Sequence, residues 1–144
     1  MEEKILKKLF QLANKSYNKK EFPVGAIIFD DNFNIISTGY NRRNKSNITI
    51  DHAEITAITK ANKRLNSWRL NDLCMIVTLE PCDMCKTVIK EARLKEIYYI
   101  VPRLKYKKQY KNIIIKQYKI KSDKINKQIE EYSQKISTFF NEKR

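Results

Sequence analysis

The chain has 144 residues, 42% hydrophobic and 10% aromatic, which suits one domain over residues 1–144 with a buried core and excludes a wholly disordered segment. Lys and Arg number 30 against 16 Asp and Glu, a net charge of +14 that attracts polyanions, either nucleic acid or an acidic membrane surface. Two glycines and three prolines exclude collagen-like and linker-like classes and any phosphate-cradling glycine loop, and no apolar run nears the roughly 20 residues of a membrane helix, so the chain reads as soluble and cytoplasmic.

In chain order, Glu2 to Tyr17 reads as a helix, with Ile5, Leu9 and Leu12 in one row and Leu6, Phe10 and Ala13 in the next. Phe22 to Phe29 and Phe33 to Gly39 read as a hairpin around Asp30-Asp31-Asn32, and Tyr40 to Ile50 as a polar loop. His52 to Leu65 is helical, with Ile55, Ile58 and Leu65 among its buried candidates. Leu73 to Leu79 is a continuous apolar run, the pattern of a central strand covered on both faces. Pro81 opens a helix through Arg93, and Glu96 to Val101 is a further strand stopped by Pro102. From Val101 to Lys121 eight basic residues stand without an acidic one, interleaved with Tyr106, Tyr110 and Tyr118. That mixture favours a single-stranded or looped RNA surface, although compositional bias and mere solvation would also account for many lysines. Ser122 is the expected N-cap of a last helix carrying Ile125, Ile129, Tyr132, Ile136 and Phe140. Alternating strands and helices make an α/β sandwich.

Three cysteines, Cys74, Cys82 and Cys85, in a chain without an export signal point to a metal or redox pair rather than to disulfides. Chemistry concentrates in His52-Ala53-Glu54 and Pro81-Cys82-Asp83-Met84-Cys85, each at the start of a predicted helix. One imidazole and two thiolates suit zinc with an open fourth position, where a bound water becomes a nucleophile near neutral pH. Glu54 can lean over that water and move its proton, unless it is an ordinary carboxylate at a helix start. A closed site with Cys74 as fourth ligand is disfavoured, because an extended strand puts Cys74 roughly 16 Å from the strand end beside Cys82.

The HxE and PCxxC pair resembles the zinc-deaminase signature. With Phe22-Pro23-Val24-Gly25-Ala26, Gly39-Tyr40-Asn41-Arg42, Trp68-Arg69-Leu70, Thr78-Leu79-Glu80 and Phe139-Phe140, nearly the whole chain resembles the bacterial tRNA-specific adenosine deaminases. The resemblance implies a cytidine-deaminase-like three-layer α/β/α sandwich around a mixed sheet of about five strands. It implies one Zn2+ on His52, Cys82 and Cys85, with Glu54 shuttling protons as adenosine becomes inosine at the wobble position of a tRNA anticodon. Asn41 would hydrogen-bond the purine, Pro23 and Val24 would wall the pocket, and the Ala53 and Cys82 amides would hold substrate and nucleophile. The anticodon stem-loop would meet Arg42, Arg103, Lys105, Tyr106, Lys107, Phe139 and Phe140 on a homodimer. Asn41 also suits a turn, and the two phenylalanines also suit a core.

Three departures from the family pattern stand out. Asp51 precedes the zinc histidine in Ile48-Thr49-Ile50-Asp51, Lys86, Thr87 and Val88 replace small residues after PCxxC, and Arg103 to Lys108 replaces a glycine-bearing stretch. The rival readings are a deaminase of free guanine or cytosine, and a non-catalytic RNA-binding module that retains zinc.

Overall fold

Ile5, Leu6, Leu9, Phe10, Leu12 and Ala13 are all buried on one face of α1 (Glu2–Asn18), the face that their spacing predicts. The computed structural model describes residues 2–103, 115–118 and 123–142, with side chains from 125 to 138 in the last stretch. After α1 come β1 (Gly25–Phe29), β2 (Ile35–Tyr40), the short α2 (Arg43–Ser46), α3 (Ala53–Leu65), β3 (Cys74–Leu79), α4 (Asp83–Ala92), β4 (Glu96–Val101), β5 (Ile115–Gln117) and α5 (Asp123–Glu142). Among these residues no helix is long and apolar enough to cross a membrane.

The strands form one mixed sheet in the order β2-β1-β3-β4-β5, with β1 antiparallel to both neighbours and β3, β4 and β5 mutually parallel. Because side chains alternate along a strand, the sheet feeds two cores. Ile27, Phe29, Cys74, Ile76 and Ile100 pack with α1 and with Ile125 and Tyr132 of α5. Ala26, Ile28, Met75, Val77 and Ile97 pack with α3 and α4. This is the α/β/α sandwich that the resemblance implies. Every residue of β3 is buried, as its unbroken apolar run requires.

The two glycines of the chain seat one helix on each face of the sheet. A Cβ on Gly25 would stand 2.6 Å from the Leu9 carbonyl oxygen of α1, and one on Gly39 would stand 2.1 Å from the Ala53 carbonyl oxygen of α3. Such close approach explains a departure from the expected burial of α3. Its buried row is Ala53, Ala57, Ala61 and Ile58, while Leu65 is 43% exposed and Ile55 half-buried. Larger side chains would hold the helix away from β2. Ser37 and Arg64 reinforce the contact, Ser37 Oγ donating to the Ala57 carbonyl at 2.6 Å and Arg64 Nη1 to the Ile36 carbonyl at 2.7 Å.

Other differences are local. The polar loop at 40–50 contains α2, and β5, with two of its three residues exposed, carries no hydrophobic pattern that a sequence reading could find. On α5, Tyr132 donates to the Pro23 carbonyl at 2.5 Å and meets Phe10 edge-on at 6.0 Å. The expected cap Ser122 and the candidate RNA contacts Lys105, Tyr106 and Lys107 lie outside the described residues. Phe139 and Phe140 lie on α5, with their side chains outside the described set.

Candidate active site

Both signature segments end at helix N-termini, one residue later than expected for α3 and two for α4. His52 is the N-cap of α3 (φ −86°, ψ 156°) and Cys82 the N-cap of α4 (φ −71°, ψ 170°). An extended N-cap normally turns its side chain back onto the helix, and a Ser or Asp there is worth about 1 kcal/mol. Neither residue makes that bond. Their side chains turn to each other instead, and both helix dipoles aim their positive ends into the gap, which favours thiolates.

His52 Nδ1 lies 3.7 Å from Cys82 Sγ and 3.5 Å from Cys85 Sγ, and the three donor atoms lie within 4.8 Å of one another. Tetrahedral zinc, with bonds of about 2.0–2.1 Å to nitrogen and 2.3 Å to sulfur, separates such donors by about 3.6 Å. The group therefore fits zinc as it stands. The Cys82 thiol is held down to about 3, first by a hydrogen bond from the Cys85 thiol and then, against burial, by the His52 ring. The Cys85 thiol is pushed far up by that same bond and by burial. A divalent cation held there would take both sulfurs as thiolates. Cys74 belongs to the opposite core, across the sheet from Cys85, so it cannot complete a closed site.

Glu54, one residue into α3, is 3% exposed. Burial pushes its carboxyl above the ordinary carboxylate value, the Cys82 thiolate adds to this, and its own backbone N–H and the Cys85 thiol oppose. A carboxyl so placed can hold a proton and release it.

These residues open on a cleft of about 580 Å³, whose walls include Val24, Asn41, Ala53, Glu54, Pro81 and Arg103. The Asn41 side chain donates to the Phe22 carbonyl at 3.1 Å and accepts from the Arg43 amide at 3.2 Å, which fixes the orientation of its carboxamide. Pro23 is fully buried beneath Tyr132 and stands outside the lining, whereas Val24 forms part of it. Arg42 is exposed beside the Tyr40 ring.

Two of the departures have a structural account. Asp51 Oδ1 accepts from Thr56 Oγ1 at 2.9 Å and the Asp51 carbonyl from the Arg42 amide at 3.2 Å, so the residue ties the loop to the first turn of α3. Lys86, nearly buried, pairs with Glu80 at 3.1 Å. Glu80 also accepts from the Arg103 amide at 3.4 Å, and its carbonyl accepts from Arg103 Nε at 3.1 Å. Lys86, Glu80 and Arg103 thus join the metal-bearing helix to the chain leaving β4.

Four residues to which the sequence assigns no role in the site are placed there: Arg43, Glu80, Lys86 and Glu21. Arg43 Nη1 stands 3.1 Å from His52 Nε2, and Glu80 and Lys86 form part of the cleft wall. Buried Glu21 accepts from the Asn44 and Lys45 amides at 3.1 and 2.6 Å and so anchors the Asn41–Lys45 wall. A lone glutamate before a strand carries no signal of this in sequence.

A mixed sheet with a His-Cys-Cys group and a buried glutamate at its mouth is a zinc hydrolase architecture. Residues 1–101 match the family described as cytidine and deoxycytidylate deaminase zinc-binding region, and the chain belongs to that family. Among curated proteins it is 45% identical over 87 residues to a tRNA-specific adenosine deaminase of Streptococcus pyogenes, covering 60% of this chain and 54% of the relative. It is 34% identical over 152 aligned positions to that of Haemophilus influenzae, covering 99% of this chain and 85% of the relative. The chain spans about half the length of the streptococcal relatives. Among solved structures, one from a study of A-to-I editing by tRNA:A34 deaminases superposes with a TM-score of 0.71 at 27% identity, covering 82% of this chain and 100% of that one. The guanine deaminase of Bacillus subtilis superposes at 0.66 with 28% identity, covering 92% and 93%.

Removing the metal has an expected result. Cys85→Ala should lose zinc, and chelation of the wild type should lower stability by about 4 kcal/mol if the ion is normally at a thousand times its dissociation constant. Elemental analysis and thermal melts with and without chelator measure both. Full zinc content in the variant would remove Cys85 from the ligand set.

Proposed function

We propose that this chain is a zinc-dependent deaminase domain that hydrolyses adenosine to inosine at the wobble position of a tRNA anticodon. The observation carrying the reaction class is the buried Glu54 beside the His52-Cys82-Cys85 group at the base of an open cleft. The likeness to tRNA-specific adenosine deaminases, which at 34% identity runs nearly the full chain, and the charge of +14 support the substrate.

His52 Nδ1, Cys82 and Cys85 would hold the ion, which when bound would supply Lewis acidity and activate a water. Glu54 would take one proton from the attacking water and pass it to N1 as the oxygen bonds to C6, then carry the proton of the new C6 hydroxyl to the amino group, so that the C6–N bond breaks, ammonia leaves and C6=O forms. The Asn41 carboxamide orients the purine, Val24 walls it, and the Ala53 amide holds the substrate. A neutral imidazole that binds a cation through Nδ1 carries its proton on Nε2, where Arg43 can only donate. With His52 Nδ1 committed to an ion, Arg43 would therefore be available to the substrate. The protein works in the cytoplasm, where tRNA is, as a homodimer whose RNA contacts include Arg42, Arg103, Lys105, Tyr106, Lys107, Phe139 and Phe140.

The test is nucleoside mass analysis of anticodon stem-loops exposed to the purified protein, in parallel with free guanine and cytosine. Inosine is the expected product. Ammonia from a free base without inosine would transfer the assignment to the second reading, which the likeness to a guanine deaminase supports. Salt-sensitive RNA binding without any turnover would make it a binding module.

A further inference from the structure

Outside the cleft, three cations from two separate elements converge on one aromatic ring. Lys15 Nζ lies 4.9 Å from the centroid of Tyr40, Lys19 Nζ 5.2 Å and Arg42 Cζ 5.9 Å, and Lys19 also donates to the Tyr40 hydroxyl at 3.2 Å. Like charges so close repel. The negative end of the α1 dipole accounts for two lysines at its C-terminus, but not for Arg42 arriving from beyond β2. Nor, among the described residues, does a carboxylate pair with them. Among the described residues the ion pairs are Lys86–Glu80 and Lys95–Asp31, and neither involves this group. The Tyr40 ring offsets part of the repulsion through its π face, and an anion seated among the three would offset the rest.

We propose that Lys15, Lys19 and Arg42, gathered by Tyr40, form a seat for the sugar-phosphate backbone of an RNA strand running past the cleft. The proposal rests on the reading of the substrate as RNA. Its location follows from the chain. Asn41 and Arg43, both on the cleft wall, are the immediate neighbours of Arg42, and no more than about 11 Å of backbone separates the Cα atoms of Tyr40 and Arg43. A strand with its reacting base in the cleft has its next phosphates within that reach. A row of clustered cations tracking a backbone is what single-stranded RNA surfaces use, and Tyr40 holds long side chains that would otherwise be ordered only on binding. Tyr40 is thus a positioning residue, and the lysines and Arg42 are the groups that touch phosphate.

The test is equilibrium binding of an oligouridylate, which has no adenine to react, across a range of salt concentrations. The double variant Lys15→Glu/Lys19→Glu is compared with Lys60→Glu/Lys63→Glu on the exposed side of α3, which changes net charge equally. The first should weaken binding at least tenfold and flatten the slope of log affinity against log salt by about 1.4, the share of two phosphate contacts on a single strand. The control should change affinity far less and leave the slope alone. Tyr40→Leu should weaken binding about fivefold with the slope unchanged, because the charges remain while their organiser is gone. Equal losses in the two charge variants, or an unaltered affinity in Tyr40→Leu, would overturn the seat. The substrate reading fails separately. A wild type that forms inosine while the Lys15/Lys19 variant binds normally loses only the seat. One that makes no inosine from any stem-loop, yet shows the expected slopes, keeps the seat and loses the reaction.

Discussion

Glu54→Gln should keep zinc and the fold while slowing deamination by about 10⁴-fold, roughly 5 kcal/mol of barrier. The size follows from what the side chain is asked to do. A positioned acid–base group contributes between about 10² and 10⁴, and in the proposed reaction one carboxyl would serve both the attacking water and the departing amine. The amide has the same shape and fills the same buried volume, so packing around a residue that is 3% exposed is preserved. It cannot take a proton. The upward push of burial on the carboxyl is the property that suits it to carry the proton between steps, and Gln removes it. Single-turnover rates on an anticodon stem-loop, alongside zinc content, measure the effect. A variant that retains zinc and turns over within tenfold of wild type would exclude Glu54 from proton transfer.

Gly39→Ala should be the most damaging single methyl group in the chain. The added Cβ would lie 2.1 Å from the Ala53 carbonyl oxygen, 2.9 Å from the Ala57 amide nitrogen and 3.1 Å from the Ala53 carbonyl carbon. All three are helix backbone, so no rotamer change relieves them, and α3 must lift from β2. Overpacking of this kind costs about 3 kcal/mol, or a fall in Tm of about 10 °C. The helix that lifts is capped by His52 and carries Glu54, and a displacement of about 1 Å at a reacting group costs around 10²-fold in rate. Gly25→Ala is the informative partner. Its Cβ would meet Leu9, Leu12 and Ala13 of α1 on the other face of the sheet. It should lose comparable stability and much less activity, when both variants are assayed well below their melting temperatures. Equal losses of activity would mean that α3 does not hold the site geometry on its own, and an unchanged Tm in Gly39→Ala would contradict the close approach itself.

The two glycines show where sequence reasoning reaches its limit. Both stand in segments whose strand character is plain from composition, yet nothing local says that a helix backbone passes within contact distance of each. For the same reason the periodicity of α3 predicts burial for Leu65 and Ile55, whereas the sheet accepts only alanines along most of the row. The metal group is the opposite case. His52, Cys82 and Cys85 are scarce residue types at short spacings, and their chemistry narrows the choice of partner before any fold is known. An imidazole and two thiolates with an open fourth position suit zinc, and the structure brings the three donor atoms within 4.8 Å of one another.

The amino-acid order by itself determined the alternation of helix and strand, the burial of β3, the inward face of α1 and the identity of the metal-binding group. Each depends on periodicity or on residue chemistry within a few positions, which a linear chain displays directly. Tertiary structure alone decided that Asp51 fastens a loop, that Lys86 answers Glu80 and steadies Arg103, that Cys74 lies across the sheet from the other cysteines, and that Lys15, Lys19 and Arg42 meet at Tyr40. Those arrangements join residues on different elements, and their energies depend on distance in space rather than on separation along the chain.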